Sequence, residues 1–303
     1  MMKIKSSSWY YISMLIPGAA LLIVFSIVPM GGIAMAFQRY TPAKGILNSA
    51  FVGLDNFRIL FRQPNFAQII GNTLIIAISK IALNIAVPVA FALLLNECRS
   101  RPLKRAIQTA VYLPNFLSWV IVAAMFLGMF SLGGVFNSLV RLLGGEPIIF
   151  MASNAWIRPI IILTDTWKTF GFSAVIYIAA ITGIDPSLYE SAGIDGANRL
   201  QRMLGITLPG MLPTVALMSA LSLGNVLNAG SDQILNMYNP AVYQAADVLD
   251  TFTYRTAFGI GQSVSVQRFD LATAVGLFKS AISFALIAVS YKLARKFADY
   301  RIF

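Results

Sequence analysis

No charged side chain stands between Lys5 and Arg39, and none between Arg105 and Arg141. Apolar runs longer than the roughly 20 residues that cross a bilayer as a helix leave few folds open. A backbone in hydrocarbon must satisfy its own N–H and C=O groups, so it is helical or part of a closed barrel. Runs this long read as helices. The composition agrees: 57% of the 303 residues are hydrophobic and 12% are charged, against about 25% charged in an average soluble domain. Six spans are expected, over residues 11–37, 69–96, 109–130, 156–181, 206–228 and 271–293. The expected fold class is therefore an all-α integral membrane protein with six transmembrane helices. The first run exceeds the apolar core of a cleavable signal, about 7–15 residues, and no small-x-small site follows it. Pro17 and Pro29 lie inside it and are tolerable where neighbouring helices meet the freed carbonyls.

The net charge of +11 can mean a nucleic acid, an anionic lipid surface or topology. With the N-terminus inside, the inner side receives Lys3, Lys5, Arg99, Arg101, Lys104, Arg105, Arg199, Arg202, Lys292, Arg295, Lys296 and Arg301. The outer loops receive Arg39, Lys44, Arg58, Arg62, Arg141, Arg255 and Arg268, and the acids split about evenly. The excess of Lys and Arg on one side predicts both termini in the cytoplasm and a plasma-membrane, multi-pass chain. The positive charge is then mostly topology, and no nucleic-acid partner is expected.

Composition also removes chemistry. There is no histidine and a single cysteine, Cys98. That excludes His-based triads, His–metal sites, cysteine metal clusters and intrachain disulfides. No Gly-x-x-x-x-Gly-Lys-Ser/Thr loop occurs, so a P-loop nucleotide site is not expected. No metal, cofactor or catalytic residue is assigned, and the chain reads as a non-enzyme.

One inner loop, residues 182–205, differs from the others. Asp185 is a good N-cap and Pro186 a good first helical residue. A short helix should follow through Leu188, Glu190 and Ala192. Asp195-Gly196 should end it and cap a second short helix reaching Met203, and Leu208-Pro209 should open the next span. The result is a helical elbow with small residues on its surface, either a docking site for a partner or an interfacial helix without one.

The motif Glu190-Ser191-Ala192, then Gly196, then Ile206-Thr207-Leu208-Pro209 resembles the cytoplasmic "EAA" loop of permease subunits in binding-protein-dependent (type I) ABC importers. Ser191 stands where that family has alanine, a small-for-small change. The resemblance runs from about Ile69 to Leu293. Ile178-Ala179-Ala180-Ile181 with Gly183-Ile184-Asp185-Pro186 is similar to the maltose-type, carbohydrate-uptake branch. Residues 232–243 and 272–280 resemble its LplB-like oligosaccharide subgroup. The resemblance implies that Tyr189, Glu190, Ser191, Ala192, Asp195, Gly196, Ala197, Leu208 and Pro209 couple the chain to an ATPase subunit. It also implies a second, homologous permease subunit in a heterodimer, two ATPase subunits, an extracytoplasmic solute-binding protein and an oligosaccharide substrate. ATP hydrolysis would lie in the separate ATPase subunits, and transport would proceed by alternating access. The implied organisation is a tail and first helix (1–37), an outer loop (38–68), a permease core (69–296) and a cytoplasmic tail (297–303).

Polar residues inside spans are costly and mark a pathway or a helix contact. Ser222, Asn225 and Asn228 recur every three residues near one face of the fifth span. In the similar maltose-type permeases the helix after the coupling loop lines the sugar site. Amides that donate and accept suit vicinal hydroxyls, yet helix–helix hydrogen bonding is an equally available use. In the fourth span Asp165 and Lys168 are i and i+3, so an intramembrane pair between them is expected. Thr166, Trp167 and Phe170 lie beside them, and Trp167 offers a ring for stacking on sugar. Lys80 with Asn84 in the second span, and Lys279 in the sixth, are expected to face the interior or snorkel; Lys80 could alternatively meet an acid of a second subunit or of a sugar. The alternatives in function are a permease of the same type for glycerol phosphate, an amino acid or a peptide, and a secondary transporter. The first lacks the carbohydrate-type motifs, and the second usually shows repeated halves and has no use for the elbow.

Overall fold

The computed structural model describes residues 6–224, 226–260 and 267–297. Contacts group the chain into two units, Met1–Gln63 with Thr253–Phe278, and Pro64–Phe252 with Lys279–Phe303. In the first, α1 (Ser6–Leu22) runs through a π turn (Ile23–Ile27) into a 3-10 stretch (Val28–Phe37). The apolar side chains of this run are exposed, including Met14, Leu15, Phe25 and Met30, which only an apolar solvent or a partner makes tolerable. The antiparallel strands β1 (Gln38–Arg39) and β2 (Ala50–Phe51) then bracket α2 (Gly45–Asn48) and lead into α3 (Asp55–Arg62). Asn56 is buried and donates from Nδ2 to the carbonyls of Ala36 and Gln38, both at 2.9 Å. It thereby satisfies acceptors where the helix gives way to strand.

The second unit is built on α4 (Phe66–Asn96) packed along α8 (Ile157–Thr182). Between them in sequence come α5 (Arg101–Tyr112), α6 (Trp119–Met129) and α7 (Val135–Leu142). After α8 follow α9 (Pro186–Ile194), α10 (Arg199–Arg202), a π turn (Met203–Thr207) and α11 (Leu208–Gly224). The chain continues with α12 (Ser231–Met237), α13 (Tyr243–Ala246), α14 (Leu249–Phe258) and α15 (Phe269–Phe297), the last two shared between the units. A β-carbon added at Gly171 of α8 would lie 2.3 Å from the Val111 carbonyl oxygen, so only glycine permits this crossing of α5.

Among the described residues, four helices are each long and apolar enough to cross a membrane: Ser13–Phe37, Phe66–Asn96, Arg199–Gly224 and Phe269–Val289. Two helix pairs pass together but are bent, Arg101–Phe116 with Trp119–Met129 at 102° and Ile157–Thr182 with Pro186–Ile194 at 68°, and the count reaches six if each is one span. The third expected span, 109–130, is therefore not one straight helix. Pro114 sits in a 3-10 turn (Leu113–Phe116), Leu117 is extended, and Ser118 caps α6 by accepting from the Ile121 N–H. A proline without a donor followed by a serine cap ends one helix and starts another.

The described part of the segment 229–270, between the fifth and sixth expected spans, is largely helical. Ile234, Met237, Val248 and Leu249 are buried. Met237 joins a cluster with Val122, Ala123, Phe126, Phe150 and Ile160. Asn72 on α4 donates to the carbonyls of Gln244 and Asp247, at 3.1 and 3.0 Å. Arg158 on α8 donates to Asn72 Oδ1 and to the Ala245 carbonyl, at 2.6 and 2.8 Å. The Leu249 N–H donates to Thr73 Oγ1 at 2.9 Å. Side chains of two long helices thus supply the donors and acceptors that the short helices lack at their ends.

Candidate functional site

A polar cavity of about 360 Å³ opens where α11 ends, lined by Lys80, Asn84, Asp165, Ser222, Asn228 and Gly230, with Ala77, Ile81, Met218, Leu221 and Ala229. On α4, Lys80 and Asn84 are one turn apart, as Asp165 and Thr169 are on α8, so two polar faces meet between these helices. Lys80 is 6% exposed. Its Nζ donates to the Ala229 carbonyl at 2.8 Å and to Gln233 Oε1 at 2.5 Å, and lies 3.2 Å from Asp165 Oδ1. Asp165 Oδ2 accepts from Asn84 Nδ2 at 2.9 Å, and the Thr169 hydroxyl donates to Asn84 Oδ1 at 3.2 Å. Gln233, fully buried, donates from Nε2 to the Ile161 carbonyl and to Thr164 Oγ1, each at 2.7 Å. Each charge in this apolar setting is thus paired and hydrogen-bonded, which its presence there requires.

The expected pairing of Asp165 with Lys168 is not what forms. Asp165 points to Lys80, three helical positions being no obstacle to a partner on another helix. Lys168 donates to the Asn115 carbonyl at 2.9 Å and lies 5.3 Å from the Trp119 ring centre. That carbonyl is freed by the break before α6, so the lysine caps a helix end and gains a cation–π contact.

Ser222 and Asn228 do not share one helical face either. The helix ends at Gly224, and Asn228 lies in the irregular segment before α12. Asn225 lies outside the described residues. Ser222 and Asn228 nonetheless reach the same cavity, together with Lys80 and Asn84. Non-helical backbone at membrane depth is tolerable where it lines such a cavity. The remaining pathway candidates stand elsewhere. Thr166 is buried and its hydroxyl bonds back to the Ile162 carbonyl at 3.0 Å. Trp167 packs edge-on to Phe126, ring centres 5.3 Å apart, at a separate apolar cavity of about 720 Å³. Phe170 packs edge-on to Phe91 at 5.4 Å. Lys279 pairs with Asp250 rather than snorkelling.

Gln233, Ala229 and Gly230 were absent from the sequence-derived set. The signal available was Asn228-Ala229-Gly230-Ser231, a turn-forming cluster after an apolar run. Gly230 has φ +87°, and an added β-carbon would lie 2.8 Å from Lys80 Nζ. Gly230→Ala is expected to destabilise the chain by about 1–2 kcal/mol from the left-handed backbone alone, read as a lowered thermal midpoint in detergent.

The elbow forms largely as its sequence implies. Asp185 caps α9 by accepting from the Ser187 N–H at 2.9 Å, and Pro186 is the first helical residue. That hydrogen bond holds the exposed Asp185 carboxyl below its usual pKa. The cap therefore contributes above the ordinary carboxylate range and is lost as pH falls through the lowered value. Gly196 takes φ +76° and ends α9, with the Ala197 N–H donating to the Ala192 carbonyl at 2.9 Å. The cap of α10 is Asn198 and not Asp195, because Asn198 and Gln201 form a reciprocal capping box. Glu190, Ser191, Asp195 and Gly196 are exposed, while Tyr189, Ala192 and Ala197 are half-buried. Tyr189 is tied to Thr207 by a 3.0 Å hydroxyl–hydroxyl hydrogen bond, and Leu208 and Pro209 open α11. Ile194 is 88% exposed, an apolar side chain offered at the tip.

Comparison with known proteins places this arrangement. The family described as "Binding-protein-dependent transport system inner membrane component" matches residues 84–298. The polygalacturonan/rhamnogalacturonan transport system permease protein YteP of Bacillus subtilis (strain 168) is 38% identical over 304 residues, covering 100% of this chain and 92% of that protein. Protein LplB of the same organism is 37% identical, covering 100% and 93%. Among solved structures, a bacterial alginate ABC transporter in complex with alginate pentasaccharide-bound periplasmic protein has a chain with TM-score 0.87 and 34% identity, covering 98% of this chain and 97% of that one. The apolar helices, the elbow and these matches agree: the chain belongs to the family of binding-protein-dependent transport system inner membrane components, the permeases of ABC importers.

Proposed function

We propose that the chain is one of two homologous permease subunits of an importer for oligosaccharides, and that the cavity around Ser222, Asn228 and Asn84 is its part of the sugar pathway. The observation that carries this is the convergence of hydroxyl and amide groups on a cavity at a helix break. Lys80 and Asp165 neutralise each other there, and the hydroxyl and amides that line the cavity beside them are of the types that both donate to and accept from sugar hydroxyls. The names of the relatives support the substrate class: one transports polygalacturonan/rhamnogalacturonan, and the similar transporter structure holds an alginate-bound periplasmic protein.

In this reading an extracytoplasmic binding protein delivers the sugar and both termini are cytoplasmic. Two separate ATPase subunits dock on this elbow and on its counterpart in the partner permease. Their closure on ATP moves the elbows, and the spans pass between inward-open and outward-open states. The exposed Glu190, Ser191 and Gly196 and the apolar Ile194 at the tip support a docked partner.

The test is Ser222→Ala, Asn225→Ala and Asn228→Ala in the assembled importer, reconstituted with its binding protein. Each lost sugar hydrogen bond is worth about 0.5–1.5 kcal/mol, so transport should fall by about two- to tenfold per variant while assembly persists. Unchanged sugar transport in all three removes the cavity from the pathway.

A further inference from the structure

A second polar cavity, of about 230 Å³, lies at the root of the elbow and is lined by Asn96, Glu97, Cys98, Arg99, Tyr189, Arg199 and Arg202. We propose that it binds the phosphate of an anionic phospholipid at the membrane surface. Three arginines and a single acid, Glu97, line one space. The ion pairs among the described residues include none of the three arginines. Their convergence is built by the fold. The capping box at Asn198 starts α10, and Arg199 and Arg202 stand i, i+3 on it. Tyr189 is held at the wall by Thr207, and Arg99 lies just past the end of α4 at Asn96, after Glu97 and Cys98.

The depth of the cavity selects the ligand. The spans Phe66–Asn96 and Arg199–Gly224 both meet it at an end, which is the level of lipid headgroups. A soluble ATPase reaches the exposed tip of the elbow around Glu190–Gly196 before it reaches this root. Basic pockets between helices at that level suit anionic headgroups, and guanidinium forks match phosphate oxygens two at a time.

The full chain, purified in neutral detergent, is titrated with phosphatidylglycerol, phosphatidylcholine or inorganic phosphate, and bound ligand is read by native mass spectrometry. Phosphatidylglycerol should bind at least tenfold more tightly than phosphatidylcholine. Arg99→Gln, Arg199→Gln and Arg202→Gln should each weaken it about fivefold. The exposed Arg101→Gln, outside the cavity, should not change it. Equal binding of the two lipids, or variants that behave like Arg101→Gln, overturns the site. Inorganic phosphate displacing the lipid at equal concentration assigns the cavity to a free anion and overturns the lipid source. Variants that keep lipid affinity but lose the ATPase subunit give the arginines to protein docking and overturn it too.

Discussion

Lys80→Met is expected to destabilise the folded chain by about 3–5 kcal/mol, the range for breaking a buried ion pair by removing one partner. The substitution strands the Asp165 carboxylate, which among the described residues keeps Asn84 as its donor, and leaves the Ala229 carbonyl and Gln233 Oε1 without the ammonium. Adding Asp165→Asn removes the orphaned charge, so the double variant should recover most of the loss. Thermal unfolding in detergent, run as a double-mutant cycle, measures this directly. If Lys80→Met matches the parent, or if the second change makes matters worse by its full single-variant cost, the charge pair is not what holds the break. A charged or polar residue in a span is commonly taken as a sign of the transport pathway. Here the same lysine also does structural work, because it satisfies the backbone acceptor exposed where α11 gives way to irregular chain.

Gly196→Trp is expected to cut transport by more than tenfold while the helices remain inserted. The left-handed backbone at φ +76° costs a non-glycine residue about 1–2 kcal/mol. An added β-carbon meets nothing within 4 Å, so no neighbour in the chain opposes a side chain at its root, and in the proposed docking the bulk meets the ATPase subunit. Gly196→Ala separates the two effects: it carries the strain without the bulk and should keep most ATPase co-purification. Normal co-purification and transport by the tryptophan variant would remove the elbow from the coupling path.

The elbow was legible because its determinants are local. Asp185 before Pro186, and Gly196 at a left-handed position, specify start and stop within a few residues. The shift of the second cap from Asp195 to Asn198 is a small error of the same kind, decided by Gln201 three positions on. The cavity was half legible. Ser222, Asn228, Lys80 and Asn84 are recognisable as polar residues in apolar runs, and they do converge. Their partners were not legible, since Lys80 meets Gln233 and Ala229 about 150 positions away. Asp165 and Lys168 show the limit plainly. Sequence spacing offers each the other, but burial gives each a better partner on a different element, because an unmet carbonyl or carboxylate in an apolar interior costs more than a near neighbour gains.

By itself the sequence determined the solvent, the approximate number of crossings, the elbow and the family resemblance, because hydropathy over about 20 residues and local capping chemistry are properties of contiguous chain. Only the tertiary structure decided where spans break, which charges pair and which polar groups share a cavity. Those outcomes depend on which helices lie side by side, and in an apolar medium every buried donor and acceptor must find its partner wherever packing supplies one.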